Sequence, residues 1–190
     1  MRWLGAIVAV LPALVIFAGV LGNAETPRKH SLIEQLGLKT LVGWPPNGPD
    51  VLRELHQLDM VEMQLAGLVA GRGDDTLRRF ADEQAAQAQQ RDAHIVKLNT
   101  FTGLGIDFPD TPALARTGRL AGLQGKVGRD FVESYIAAQR GELTQAIARL
   151  RRYLLSPDDD QIWSFAREQL KLLTKRLAAL DELGRGEAGS

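Results

Sequence analysis

The sequence predicts an all-α protein, an antiparallel four-helix bundle with a long loop between its second and third helices. Three observations predict it. From Val51 to Phe101 apolar residues recur at steps of three and four in two arms, broken only between Gly71 and Asp74; that spacing lines side chains up along one face of a helix. Two further stretches, from Gln124 or Lys126 to Leu155 and from Ser156 to Leu183, keep the same period. No segment shows the β-branched alternation that a sheet needs. Four helices, each with one apolar stripe, bury a common core.

The chain of 190 residues is long enough for one ordinary domain. Its 23 basic and 23 acidic residues balance, so composition implies no polyanion-binding surface and nucleic acid is not an expected partner. The absence of cysteine excludes disulfides and thiolate metal ligands.

Residues 1–24 read as a secretory signal peptide. Arg2 supplies a positive start, Trp3 to Leu21 is apolar or small, and Gly22-Asn23-Ala24 offers small residues for cleavage before Glu25. The alternative is an uncleaved N-terminal anchor, since nineteen helical residues span about 28 Å. Pro12 and the glycines favour the signal. The expected location is periplasmic, with an inner-membrane-anchored protein as the alternative; membrane contact is expected only if this segment is retained.

Residues 25–49 form a lead-in with a short helix over Ser31 to Leu41, ended by the prolines that follow. Trp44 there is expected to plug the end of the bundle. The bundle itself is expected over residues 50–184. The first helix starts near Pro49 or Asp50, with Asp50 as cap, and ends at Gly71, a C′ glycine. Its stripe is Val51, Leu55, Leu58, Glu62, Leu65 and Val69. A break as short as Gly71 to Asp74 forces an antiparallel hairpin. The second helix starts at Asp74 or Asp75, fades near Gly103, and carries Leu77, Ala81, Gln84, Ala88, Arg91, Ile95 and Leu98.

Gly103 to Leu123 is rich in glycine, proline and threonine and reads as a crossing loop with a helical turn at Thr111 to Arg119. The third helix follows with Val127, Phe131, Tyr135, Ala138, Glu142, Ala146, Leu150 and Leu154 inward, and its interior Gly141 implies close approach of a neighbour. Ser156 is its expected successor's cap, with Pro157 in the first turn. The fourth helix places Ile162, Phe165, Ala166, Gln169, Leu172 or Leu173, Arg176, Leu177, Leu180 and Leu183 inward, and residues 185–190 read as a frayed tail.

The residues that interrupt the stripes carry the chemistry. Glu62 and Glu142 are carboxylates on apolar faces, and Gln84, Arg91, Gln169 and Arg176 interrupt the facing stripes. A buried carboxylate must be paired or neutralised. Arg91 or Arg176 is therefore expected to neutralise Glu62 or Glu142 in an interior polar network that fixes helix register. The interior polar or residual metal-site residues are thus Glu62, Gln84, Arg91, Glu142 and Arg176. Helical bundles bind metals through Glu and Glu-x-x-His pairs projecting inward, but none of His30, His56 and His94 has an acidic residue three positions earlier. His56 and His94 read as flank or surface residues. No nucleophile constellation and no Gly-rich phosphate loop is present. The reading assigns no catalytic residue, no metal ligand and no cofactor.

Asp59-Met60-Val61-Glu62-Met63-Gln64-Leu65 followed by Leu77-Arg78-Arg79-Phe80-Ala81 resembles the first hairpin of the DUF4142 family, and Gly125 with Phe131-Val132-Glu133-Ser134-Tyr135-Ile136 resembles the start of its third helix. The resemblance covers about Val51 to Leu180. It implies a secreted or periplasmic bacterial protein with a ferritin-like four-helix bundle. Where family members carry an Asp-His pair in the second helix, this chain has Gln87 and Ala88; where the third helix carries a comparable pair, it has Glu142 and Leu143. Glu62 matches the family's first-helix glutamate. If the family's site holds a metal, the resemblance implies its loss here, leaving core and a residual polar network.

The resulting expectation is a non-catalytic periplasmic helical-bundle protein, with an unidentified protein partner or an envelope-associated role. One alternative is a degenerate ferritin-like metal or stress protein with a carboxylate site around Glu62 and Glu142. Another is a membrane-tethered accessory subunit.

Overall fold

The computed structural model describes residues 45–188. Among them are five helices and no strand: α1 Gly48–Val69, α2 Asp75–Thr102, α3 Leu114–Gln124, α4 Gly128–Leu154 and α5 Asp160–Ala188. The signal or anchor segment, the lead-in helix, Trp44 and the last two residues lie outside the described residues. The helix α5 runs to Ala188, so the described part of the expected frayed tail is helical.

Local chemistry sets the helix ends. At α1 the cap is Asn47, not Asp50. The Asn47 side chain accepts from the Asp50 N–H at 2.9 Å, and the Asp50 carboxylate accepts from the Asn47 N–H at 3.2 Å; this reciprocal box satisfies two donors that the first turn leaves open. Pro49 occupies the first turn, where no N–H is needed. At the other end, the Arg72 and Gly73 N–H groups both reach the Val69 carbonyl, at 2.9 and 3.0 Å. The positive-φ glycines among the described residues are Gly103, Gly105 and Gly128, so Gly71 does not act as the left-handed C′ residue. Asp74 caps α2 by accepting from the Leu77 N–H at 2.7 Å, and Gly103 closes it at φ 64°. Asp159 rather than Ser156 caps α5, accepting from the Gln161 and Ile162 N–H groups, both at 2.9 Å.

The stripes of α1 and α2 are buried at every expected position. In α4 the buried set is rotated: Gln139 takes the place given to Ala138, and Val127, which precedes the helix, is 74% exposed. Leu173 rather than Leu172 faces the core of α5. A Cβ on Gly141 would meet nothing within 4 Å, so no helix approaches it and the glycine lies on the outer face. The close approach is at Gly48, where a Cβ would stand 2.6 Å from Ile162 Cδ1, and where the Gly48 N–H donates to Asp158 Oδ1 at 2.9 Å.

Contacts between helices give their directions. The pair α1 and α2 runs antiparallel, with His56 against Asp92 and Glu62 against Arg91. So does the pair α4 and α5, with the Tyr153 hydroxyl on the Asp159 carbonyl and Arg140 on Asp181. The helices α1 and α5 run the same way, because Gly48 meets Asp158 and Glu62 meets Arg176. Glu54 against Arg149 and Arg72 over the Phe131 ring set α4 opposite to α1. Both α2 and α4 therefore run opposite to α1, and the connection between them must return along the bundle.

It does so beside α1. The Pro109 carbonyl accepts from His56, the Ala113 N–H donates to Gln57, Arg116 pairs with Glu54, and the Leu123 carbonyl accepts from Arg72. The expected helical turn is an 11-residue helix, α3. Its inward residues, Arg116, Leu120 and Leu123, are buried at helical spacing, but Gly118 and Gly122 between them hide that pattern in the sequence. The described chain is thus a helical bundle of four long helices and one short one. Among the described residues no helix is long and apolar enough to cross a membrane.

Candidate functional site

The interior of the bundle holds two arginine–carboxylate nests. In the first, the fully buried Glu62 of α1 meets Arg91 of α2 and Arg176 of α5. Arg91 Nη2 donates to Glu62 Oε2 at 2.8 Å, and Arg176 Nη1 reaches Oε1 at 2.5 Å and Oε2 at 2.6 Å. Arg176 Nη2 donates to Gln87 Oε1 at 2.8 Å. Charge-assisted contacts of this kind are the strong ones, and they replace the water that Glu62 gives up.

Asp59 completes this nest. It lies one turn before Glu62 on the same face of α1, is fully buried, and forms an ion pair with Arg91. Neither of its oxygens receives an aligned hydrogen bond. Burial holds the Asp59 carboxyl well above the usual carboxylate range; Arg91 opposes the shift and Glu62 adds to it. For Arg91, burial pulls the guanidinium down, but Glu62 and Asp59 outweigh it and the net shift is upward. For Arg176, burial prevails over the attraction of Glu62, with Arg91 adding repulsion, and the shift is downward. Guanidinium stays charged in either case, so the change that matters here is the proton on Asp59.

The second nest is built differently. Glu142 of α4, 2% exposed, does not meet Arg91 or Arg176. Its partners come from α3: Arg116 Nε stands 3.0 Å from Oε2, and Arg119 Nε donates to Oε1 at 3.0 Å. Arg116 also pairs with Glu54 of α1, which Arg149 of α4 approaches at 3.6 Å. This network ties the returning connection to α1 and α4. Nearby on α4, the Gln139 amide donates to the Tyr135 hydroxyl at 3.4 Å, and burial pushes that phenol upward.

His56 is 8% exposed rather than a flank residue. Its Nε2–H donates to the Pro109 carbonyl at 2.9 Å, its Nδ1 meets Asp92 Oδ1 at 2.6 Å, and its ring lies 4.8 Å from Phe108. The buried position follows from the crossing connection, which covers a face of α1 that helix periodicity alone leaves open. His94 stays exposed, edge-on to Phe165 at 4.8 Å.

Between α2 and α5 a groove of about 520 Å³ opens over the first nest. Gln84, Gln87, Arg91, Gln169 and Arg176 line it with Phe80 at one end. Of the residues singled out in the sequence, Glu62, Arg91 and Arg176 share one nest, Gln84 lines the groove beside them, and Glu142 belongs to the other nest. Sequence reasoning missed Asp59, Arg116 and Arg119. The spacing of Asp59 three residues before Glu62 was a usable signal. The arginines of α3 gave none, because no stripe surrounds them. Among the described residues no group of three or more histidines, aspartates or glutamates is arranged to hold a metal ion.

Comparison with known proteins adds one match. No curated protein and no solved structure matches the chain. A family model described as Domain of unknown function (DUF4142) matches residues 45–183, which take in α1, α2, α4, most of α5 and both nests, and the chain therefore belongs to the DUF4142 family.

Proposed function

We propose that this protein is a non-catalytic periplasmic helical-bundle protein that works by noncovalent binding, in a protein-interaction or envelope-associated role. In this reading α1, α2, α4 and α5 are the members of a ferritin-like antiparallel four-helix bundle, and α3 rides on the crossover. The observation that carries the non-catalytic part is the saturation of Glu62. Both of its oxygens are bonded to guanidinium groups, so it would have to give up two buried ion pairs to ligate a cation or move a proton. Glu142 is paired with other arginines, Arg116 and Arg119. The two carboxylates that a residual metal site would use are engaged with different partners.

The test is metal content and metal-dependent melting of the mature protein, beside Glu62→Ala. The expected result is no stoichiometric iron, manganese or zinc, no rise in melting temperature with metal, and a destabilised variant. Co-purified metal near one equivalent, lost in Glu62→Ala, supports the degenerate metal-protein reading instead. Intact mass of the native protein tests the periplasmic part: a chain starting at Glu25 is expected, and a retained Trp3 to Leu21 supports the tethered subunit.

A further inference from the structure

The seam between α2 and α5 is open and polar. The facing residues there include amides and guanidiniums over an open groove. Its volume of about 520 Å³ lies within the range of small-molecule sites. We propose that this groove binds a small hydroxylated organic carboxylate of the sugar-acid type, with its carboxylate against Arg91 and Arg176 and its hydroxyls on the glutamine amides. The inference deepens the binding role proposed above and names a ligand class for it.

Three observations lead to that chemistry. Arg91 and Arg176 are each 5% exposed, and the Nε–H of each lacks a partner, as does Gln84 Oε1. Buried polar atoms are normally satisfied, and these three belong to side chains that line the groove, Gln84 and Arg91 from α2 and Arg176 from α5. The guanidiniums call for an acceptor and the amide oxygen for a donor, a pairing that a hydroxy acid supplies in one molecule. Planar carboxylate also matches the guanidinium fork.

Charge narrows the class. Arg91, Lys175 and Arg176 line the groove with Glu83 and Glu168, so its lining carries a formal excess of one positive charge, which a single carboxylate matches. A phosphate monoester carries about 1.5 to 2 negative charges, more than that excess. Gln84, Gln87, Gln90 and Gln169 give amide donors and acceptors for hydroxyls, and Phe80 gives an apolar face for a ring.

The experiment is calorimetric titration of the full chain with glucuronate, with glucose and inorganic phosphate as separate arms at equal ionic strength. Glucuronate is expected to bind with Kd tighter than about 1 mM, and the other two at least about tenfold more weakly. Gln87→Glu keeps the shape of the wall and places a carboxylate on Arg176; about tenfold weaker glucuronate binding is expected. Gln90→Ala removes one exposed amide and should weaken binding about threefold. Circular dichroism checks that both variants are folded. Absence of saturable glucuronate binding overturns the inference, as does equal binding of phosphate or glucose, or unchanged affinity in both folded variants. Those outcomes leave the non-catalytic reading standing, which fails only on the metal measurement above.

Discussion

Glu62 and Glu142 are buried carboxylates of the same bundle, each paired with two arginines, yet the two nests differ in where the arginines come from. Glu62 draws Arg91 and Arg176 from α2 and α5, both about 95% buried. Glu142 draws Arg116 and Arg119 from α3, and the Arg119 side chain is 46% exposed. The first nest is buried between long helices beneath the groove; the second is a clasp at the surface that pins the returning connection. A buried ion cluster is unforgiving, because removing one member strands the others in a low-dielectric interior. A clasp with an exposed arm lets the stranded charge turn to water.

That difference predicts unequal mutational costs. Glu62→Ala leaves Arg91 and Arg176 buried with one carboxylate too few, and a loss of about 3–5 kcal/mol in urea unfolding is expected. Replacing the trio together, as Glu62→Leu with Arg91→Met and Arg176→Met, should recover most of that loss, since apolar substitutes for a buried ion cluster are often neutral or stabilising. If the triple variant is no more stable than the single one, the nest is not an isolated ion cluster and Asp59 or Gln87 carries more of it. Glu142→Ala is expected to cost less, about 1–3 kcal/mol, with a local signature: faster amide exchange in α3 than in α1 or α2. Uniform acceleration across all helices would mean that the clasp is as integral as the buried nest.

Asp59 sharpens the contrast by pH. Its folded pKa is raised above its unfolded value of about 3.9. The folded state therefore holds a proton that the unfolded chain releases, and its stabilisation is complete below the unfolded value. It is lost as pH rises from there through the folded value. Asp59→Asn keeps the shape and removes the titration. At pH 7 the variant should melt a few degrees higher than the wild type, and the gap should close towards pH 4. A variant less stable than wild type at pH 7 would mean that Asp59 is ionised against Arg91. The smallest effect is expected at Glu133→Ala, which removes the exposed pair with Arg129 and should change stability by less than about 0.5 kcal/mol.

How much of this was legible depends on whether a residue's neighbours share its helix. Glu62, Gln84, Arg91 and Arg176 stand out as polar breaks in apolar stripes, and a break in a stripe is visible along one segment. Arg116 and Arg119 occupy a segment whose glycines and prolines disguise an 11-residue helix, so nothing nearby marks them as partners of Glu142. His56 looked like a flank residue for the same reason: Pro109 and Phe108 cover it from a connection 53 residues away. The rotated stripe of α4 is a smaller case. Val127 keeps the helical period but precedes the turn at Gly128, whose φ of 55° starts the helix one residue later.

By itself the sequence determined that the chain is helical, where its four long helices lie to within a few residues, and that Glu62, Gln84, Arg91, Glu142, Gln169 and Arg176 sit on their inner faces, because those properties follow from periodicity along a single segment. Only the tertiary structure decided that α2 and α4 run the same way, that the connection between them folds into a helix along α1, and that the two glutamates have different partners. Those facts arise where segments distant in the chain meet. Any of several arginines satisfies a buried carboxylate equally well by charge, and only packing selects which one arrives.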